Sequence, residues 1–174
     1  STVCVGATTN LSASGTSGGV WSSTNTAVGT VNASTGVVAG IAMGTTTISY
    51  TVTSSCGSGT ATMVVSVNPL PVAGTITGVS TVTVGGNTTL SNTTTGGSWS
   101  SSIPEIATIG STGVVSGVAA GTVVISYTVT NSCGSATATY NVTVLNAVDA
   151  GALSFDGVND RVSIGTPISS GSSY

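Results

Sequence analysis

The chain has 174 residues, of which only 3 % are charged: one cation (Arg161), four acids and no His, for a net charge of −3. A single Arg cannot build the basic surface that nucleic acid or an anionic lipid face requires, so both are excluded as partners. Without His or Lys there is no serine or cysteine triad of the usual kind, no imidazole metal site, no phosphate-loop lysine and no Schiff base.

Ser1 opens inside a β-type pattern with no basic leader before it, which reads as an internal piece of a longer polypeptide. An opening strand ("VCVGATTNLSAS") leads through the turn "GTSGG" to "VWSSTNTAVGTV" and then to "STGVVAGIAMGTTTISYTV". Within "ISYTVT", Ile48, Tyr50 and Val52 alternate with Ser49, Thr51 and Thr53. In the closing strand Met63, Val65 and Val67 alternate with Thr62, Val64 and Ser66. A period of two places one face of each strand in a core and the other in water. Ser and Thr supply about a third of the chain, but Val, Ile and Thr in alternation mark ordered strands rather than a disordered polar tract. The glycine clusters "GGSWS" and "VGGN" are turn glycines, since no helix follows them. Mean hydropathy is +0.51, yet no apolar run approaches the ~18 residues that cross a bilayer, so no membrane insertion is expected.

The segment then repeats. "ISYTVTSSCG" at 48–57 returns as "ISYTVTNSCG" at 125–134, with one residue changed. "STGVVAGIAMGTTTISYTVT" at 34–53 matches "STGVVSGVAAGTVVISYTVT" at 111–130, Trp21 matches Trp99, and "STVCVGATTNLS" at 1–12 matches "STVTVGGNTTLS" at 80–91. Two tandem copies of one all-β unit follow, each near the lower size limit for a self-sufficient core. The expected division is a first repeat at 1–67, a Pro-stiffened linker at 68–73, a second repeat at 74–144, and a different segment at 145–174. Trp21, Trp99, Tyr50 and Tyr127 recur at matching positions, which favours core aromatics over a sugar-stacking platform.

The "G-x-x-x-G-x-x-x-G-T-x-x-I-x-Y" element, starting at Gly36 and again at Gly113, resembles that of the second group of bacterial immunoglobulin-like repeats. "W-S-S-x-N" is complete only in the first copy, the second reading "WSSSIPE". Copies with "CVG" early and "SCG" late look most like tandem repeats of giant secreted adhesin-like proteins of the Bacteroidetes. The resemblance implies all-β, tandem Ig-like β-sandwiches at a bacterial cell surface or outside the cell. "GALSFDGVNDRVSIG" at 151–165 resembles the opening of a laminin-G or concanavalin-A-like jelly roll, leaving 145–174 as an extended or partial domain.

In an Ig-like sandwich the first strand runs beside the last, so the resemblance implies a bridge between Cys4 and Cys56. Such a bridge would close a loop of about fifty residues in an oxidising compartment. The second copy has Thr83 at the position of Cys4, so Cys133 is left over, either a relic of a lost staple or a link between chains. A catalytic thiol is disfavoured, because no His or Lys is present to activate it.

No metal or other cofactor is expected. Asp156 and Asp160 flank "GVN" and fall far short of a calcium cage, while Glu105 in "IPEIATIG" belongs to a solvated loop. Five N-glycosylation sequons (Asn10, Asn32, Asn87, Asn92, Asn141) matter only in a route that glycosylates Asn.

These readings describe a non-catalytic structural or adhesive module, part of a stalk or filament. Its expected partners are neighbouring repeats or other copies of itself, paired through edge strands that lack Lys. The alternative is the accessory stalk of a large secreted carbohydrate-active protein, reaching surface glycans through the following domain. An ice-binding surface fails, since the Thr runs lack one fixed short spacing.

Overall fold

A computed structural model describes residues 1–15 and 17–146. The chain is all-β. The first unit contains β1 (Thr2–Cys4), β2 (Thr8–Asn10), β3 (Val20–Ser23), β4 (Gly29–Val31), β5 (Val37–Gly40), β6 (Gly44–Ser54) and β7 (Gly57–Asn68). The second contains β8 (Ile76–Gly78), β9 (Thr81–Thr83), β10 (Asn87–Asn92), β11 (Ser98–Ser101), β12 (Ala107–Ile109), β13 (Val114–Gly117), β14 (Gly121–Asn131) and β15 (Gly134–Leu145).

Each unit is two facing sheets. In the first unit the order is β1-β7-β6-β3 against β2-β5-β4, and in the second β9-β15-β14-β11 against β8-β10-β13-β12. The repeated phrase builds the long hairpin of each unit, β6–β7 and β14–β15, with eleven registered pairs in each. Alternation along these strands turns Ile48, Val65 and Val67 inward in one unit, and Val123, Ile125, Val142 and Val144 in the other.

The opening strand does run beside the last one, and the pairing is parallel: Thr2, Val3 and Cys4 lie opposite Ser66, Val67 and Asn68. β9 repeats this against Thr143–Leu145. Parallel pairing carries Cys4 to the end of the sandwich from which the chain leaves. The "SCG" hairpin tip lies at the other end.

One element is seen in the second unit alone, because Ser1 matches Ser80 and the positions equivalent to β8 fall ahead of Ser1. β8 pairs with the second half of β10, with Leu90, Ser91 and Asn92 opposite Gly78, Thr77 and Ile76. The first unit has no counterpart of β8 among its described strands. Its fully packed core is accordingly smaller. It comprises Val3, Val38, Ile48, Val65 and Val67, against ten buried residues in the second unit.

Candidate functional site: the clasp between the repeats

In each unit a tryptophan on the edge strand of the hairpin layer, β3 or β11, lies against the tyrosine paired with it. Ring centroids are 4.7 Å apart for both Trp21–Tyr50 and Trp99–Tyr127, and these pairs line up in register across β3–β6 and β11–β14. Tyr127 is buried, and Trp21, Trp99 and Tyr50 are half-buried. The Tyr127 hydroxyl donates to the Thr94 carbonyl at 2.8 Å and accepts from Gly97 N–H at 2.8 Å. Tyr50 Oη accepts from Gly19 N–H at 2.9 Å. These contacts explain the second glycine of the "GG" before each tryptophan, because a Cβ on Gly97 would sit 2.5 Å from the Tyr127 ring and one on Gly19 2.4 Å from the Tyr50 ring. Gly97→Ala is expected to destabilise the second unit by about 1–3 kcal/mol, the usual cost of overpacking. Equilibrium denaturation followed by Trp99 emission measures it.

Among the described residues no group of three or more His, Cys, Asp or Glu side chains converges on a common point. Glu105 is exposed in a turn. Asp149, Asp156 and Asp160, with the 151–165 jelly-roll motif, lie outside the described residues.

The chemistry that the fold does bring together is at the junction of the units. Cys4 is bonded to Cys133, with Cα atoms 5.6 Å apart across a sequence separation of 129, and Cys56 is a free, exposed thiol. This corrects the expected Cys4–Cys56 pairing and the expectation that Cys133 is left over or links chains. The reason is strand direction. Cys4 lies opposite Asn68 at the end of β7, whereas Cys56 is at the hairpin tip where β7 begins, about 40 Å away along twelve residues of strand. A disulfide tolerates a Cα separation of only about 7 Å. The β14–β15 tip, by contrast, reaches back from the entry end of the second unit onto the exit end of the first, where Cys4 waits.

Side chains around the bridge hold the tip on the linker. Asn131 Nδ2 donates to the Pro69 carbonyl at 3.0 Å, and Asn131 Oδ1 accepts from Cys133 N–H at 2.7 Å. Asn68 Nδ2 donates to Ser132 Oγ at 3.3 Å, and Cys133 Sγ lies 3.7 Å from the Asn68 carbonyl. Asn131 is the one residue that distinguishes "TNSCG" from "TSSCG". Ser54, its counterpart, bonds among the described residues within its own tip, accepting from Cys56 N–H at 3.3 Å and donating to the Gly57 carbonyl at 3.2 Å. The functional residues that composition and spacing did not reveal are therefore Asn68 and Asn131. The single changed letter between the two phrases was the available signal.

No protein-family model matches the chain, and no curated protein does. Among solved structures it is similar to surface-layer protein SbsC, domains 1–6, at 23 % identity over 75 % of this chain and 20 % of that one, with a TM-score of 0.33. It is similar to a C-terminal fragment of intimin, solved with the intimin-binding domain of the translocated intimin receptor, at 22 % identity over 72 % of this chain and 50 % of that one, TM-score 0.42. Human protocadherin-24 EC1-2 is similar at 13 % identity, over 83 % of this chain and 94 % of that one, TM-score 0.38. The chain thus spans about a fifth of the SbsC structure and half of the intimin fragment.

Proposed function

We propose that this chain is a non-catalytic spacer, a pair of repeats in the stalk or filament of a secreted bacterial surface protein. One observation carries the reading: the Cys4–Cys133 bond fastens the exit end of one sandwich to the entry hairpin of the next. A joint made only of residues 69–75, which lie in no strand, would keep freedom to bend even though Pro69 and Pro71 stiffen it. The bridge, the Asn131–Pro69 bond and the Asn68–Ser132 bond remove that freedom. Such bridges persist in oxidising compartments, in keeping with an extracellular location. The low charge and hydroxyl-rich surface leave no catalytic group at the junction. Its immediate partners, on this reading, are neighbouring repeats.

Small-angle scattering of the oxidised chain tests the proposal. A spacer is expected to give one narrow distribution of maximum dimension. Reductant, or Cys4→Ser, is expected to broaden that distribution as the two remaining exposed hydrogen bonds give way, since such bonds contribute only about 0.5–1.5 kcal/mol each. An oxidised chain that is as broad as the reduced one would defeat the spacer reading.

A further inference from the structure

The second unit shows what a completed repeat looks like at its entry end, and among the described residues the first unit has neither of two of these features, the positions equivalent to β8 falling ahead of Ser1. In the second unit β8 lies along β10, buries Ile76, and is tied down by Tyr140, whose hydroxyl donates to the Gly78 carbonyl at 2.8 Å. Ile76 packs in one cluster with Leu90, Ile125, Tyr127, Val129, Ala138 and Tyr140. The matching residues of the first unit are Leu11, Ile48, Tyr50, Val52, Ala61 and Met63. Here they line an open groove of about 410 Å³. Met63 is 48 % exposed, although the alternation of β7 points it inward. The β2 ladder stops at Asn10, and Ser12 and Ala13 lie exposed along the groove in no strand. The second feature is the hairpin tip. Cys133 clasps the unit before it, and Cys56, at the same place on the first unit, is free and exposed.

Groove and thiol face the same pole, since Gly59, Thr60 and Ala61, just beyond the tip, form part of the groove wall. We propose that this pole is a docking site for a further repeat of the same kind. The segment leaving that repeat runs antiparallel along Leu11–Ala13 and sets a β-branched apolar residue in the groove, as Ile76 does. A cysteine at the end of its opening strand, placed as Cys4 is, bonds to Cys56. In that step both S–H bonds break and one S–S bond forms. Two protons and two electrons pass to an oxidant carrying a disulfide, which becomes a pair of thiols. Edge addition of an extended segment draws affinity from main-chain bonds and selectivity from the side-chain pocket. The repeat itself identifies the occupant, because both features are filled in this way one unit along.

A chain carrying an added copy of residues 1–79 ahead of Ser1 tests this. Refolded with oxidised glutathione and mapped without reduction, it is expected to yield a peptide joining the added Cys4 to the original Cys56, leaving one alkylatable thiol, on the added hairpin tip. Melting of the original first unit, read from Trp21 in a Trp99→Phe background with the added tryptophan also changed to Phe, is expected to rise by about 5–10 °C. Ile76→Asp within the added copy is expected to abolish most of that rise. A second arm needs no new fold. A peptide of residues 72–81, added to the Trp99→Phe chain, is expected to shift Trp21 emission saturably, and its Ile76→Asp form to bind at least tenfold more weakly. An original Cys56 that stays alkylatable, together with a Trp21 signal unmoved by the peptide, would overturn the proposal. So would chains joined only through Cys56–Cys56 bonds. None of these outcomes alters the Cys4–Cys133 clasp, so the spacer reading stands or falls separately.

Discussion

Pulled from its two ends in the oxidised state, the described part of the chain is expected to lengthen by about 40 Å at most, and in reductant it is expected to gain more than about 400 Å beyond that. The path of tension follows the covalent chain from Ser1 to Cys4, crosses to Cys133 over a Cα separation of 5.6 Å, and continues down β15. Everything between residues 4 and 133 is bypassed. The load beyond Cys133 falls on β15, which sits between β14 and β9, so the oxidised chain can release those twelve residues, about 40 Å at most. Reduction puts the 129-residue interval into the load path. At about 3.3–3.6 Å per extended residue this adds about 430–460 Å. Force spectroscopy on a Cys56→Ser chain, with and without reductant, measures the difference, and the segment beyond residue 146 contributes equally to both. Two full sandwich-unfolding steps in the oxidised chain would show that the clasp does not carry load. On the spacer reading proposed above, tension passes around the sandwiches rather than through them, so small domains suffice for such a connector.

Much of this was legible in the residues. Period-two alternation through "ISYTVT" places Ile48 and Ile125 at the bottom of two cores, and both are buried. The internal match of residues 34–53 with 111–130 becomes the same two consecutive strands in each unit, β5 then β6 and β13 then β14, crossing from one sheet to the facing one. The pairing of the cysteines was not legible, for a physical reason. Adjacency of first and last strands follows from the architecture, but their relative direction does not, and direction decides which end of β7 meets Cys4. A chain with three cysteines and two hairpin tips offers an internal and an inter-unit bridge with equal parity. Met63 shows a second limit. Its inward phase is written in the alternation, but its exposure follows from the first unit having no described counterpart of β8, which the pattern of β7 cannot report. The contribution of Asn131 was present as a single changed letter, and only its reach to the Pro69 carbonyl gives that letter a meaning.

Cys133→Ser is expected to destabilise both units, and Cys56→Ser neither. With the first unit folded, β1 holds Cys4 beside Asn68, so the bridge fastens the tip of the second unit to the residue where its own chain begins. The loop it closes is effectively the stretch from Asn68 to Cys133. Chain entropy for about 65 residues gives about 4 kcal/mol, and measured bridges fall mostly at about 2–4 kcal/mol. The argument is symmetric. With the second unit folded, the clasp and linker hold Cys4 near Asn68 and close the first unit's own stretch. One bond therefore staples two small domains, each of which has only a few kcal/mol to spare. Denaturant unfolding in Trp99→Phe and Trp21→Phe backgrounds reads the units separately. Each is expected to lose about 2–4 kcal/mol on Cys133→Ser or Cys4→Ser. An internal Cys4–Cys56 bridge makes the opposite forecast: Cys56→Ser would weaken the first unit alone, and Cys133→Ser would be silent. The Cys56 and Cys133 variants therefore separate a staple within one domain from a clasp between two.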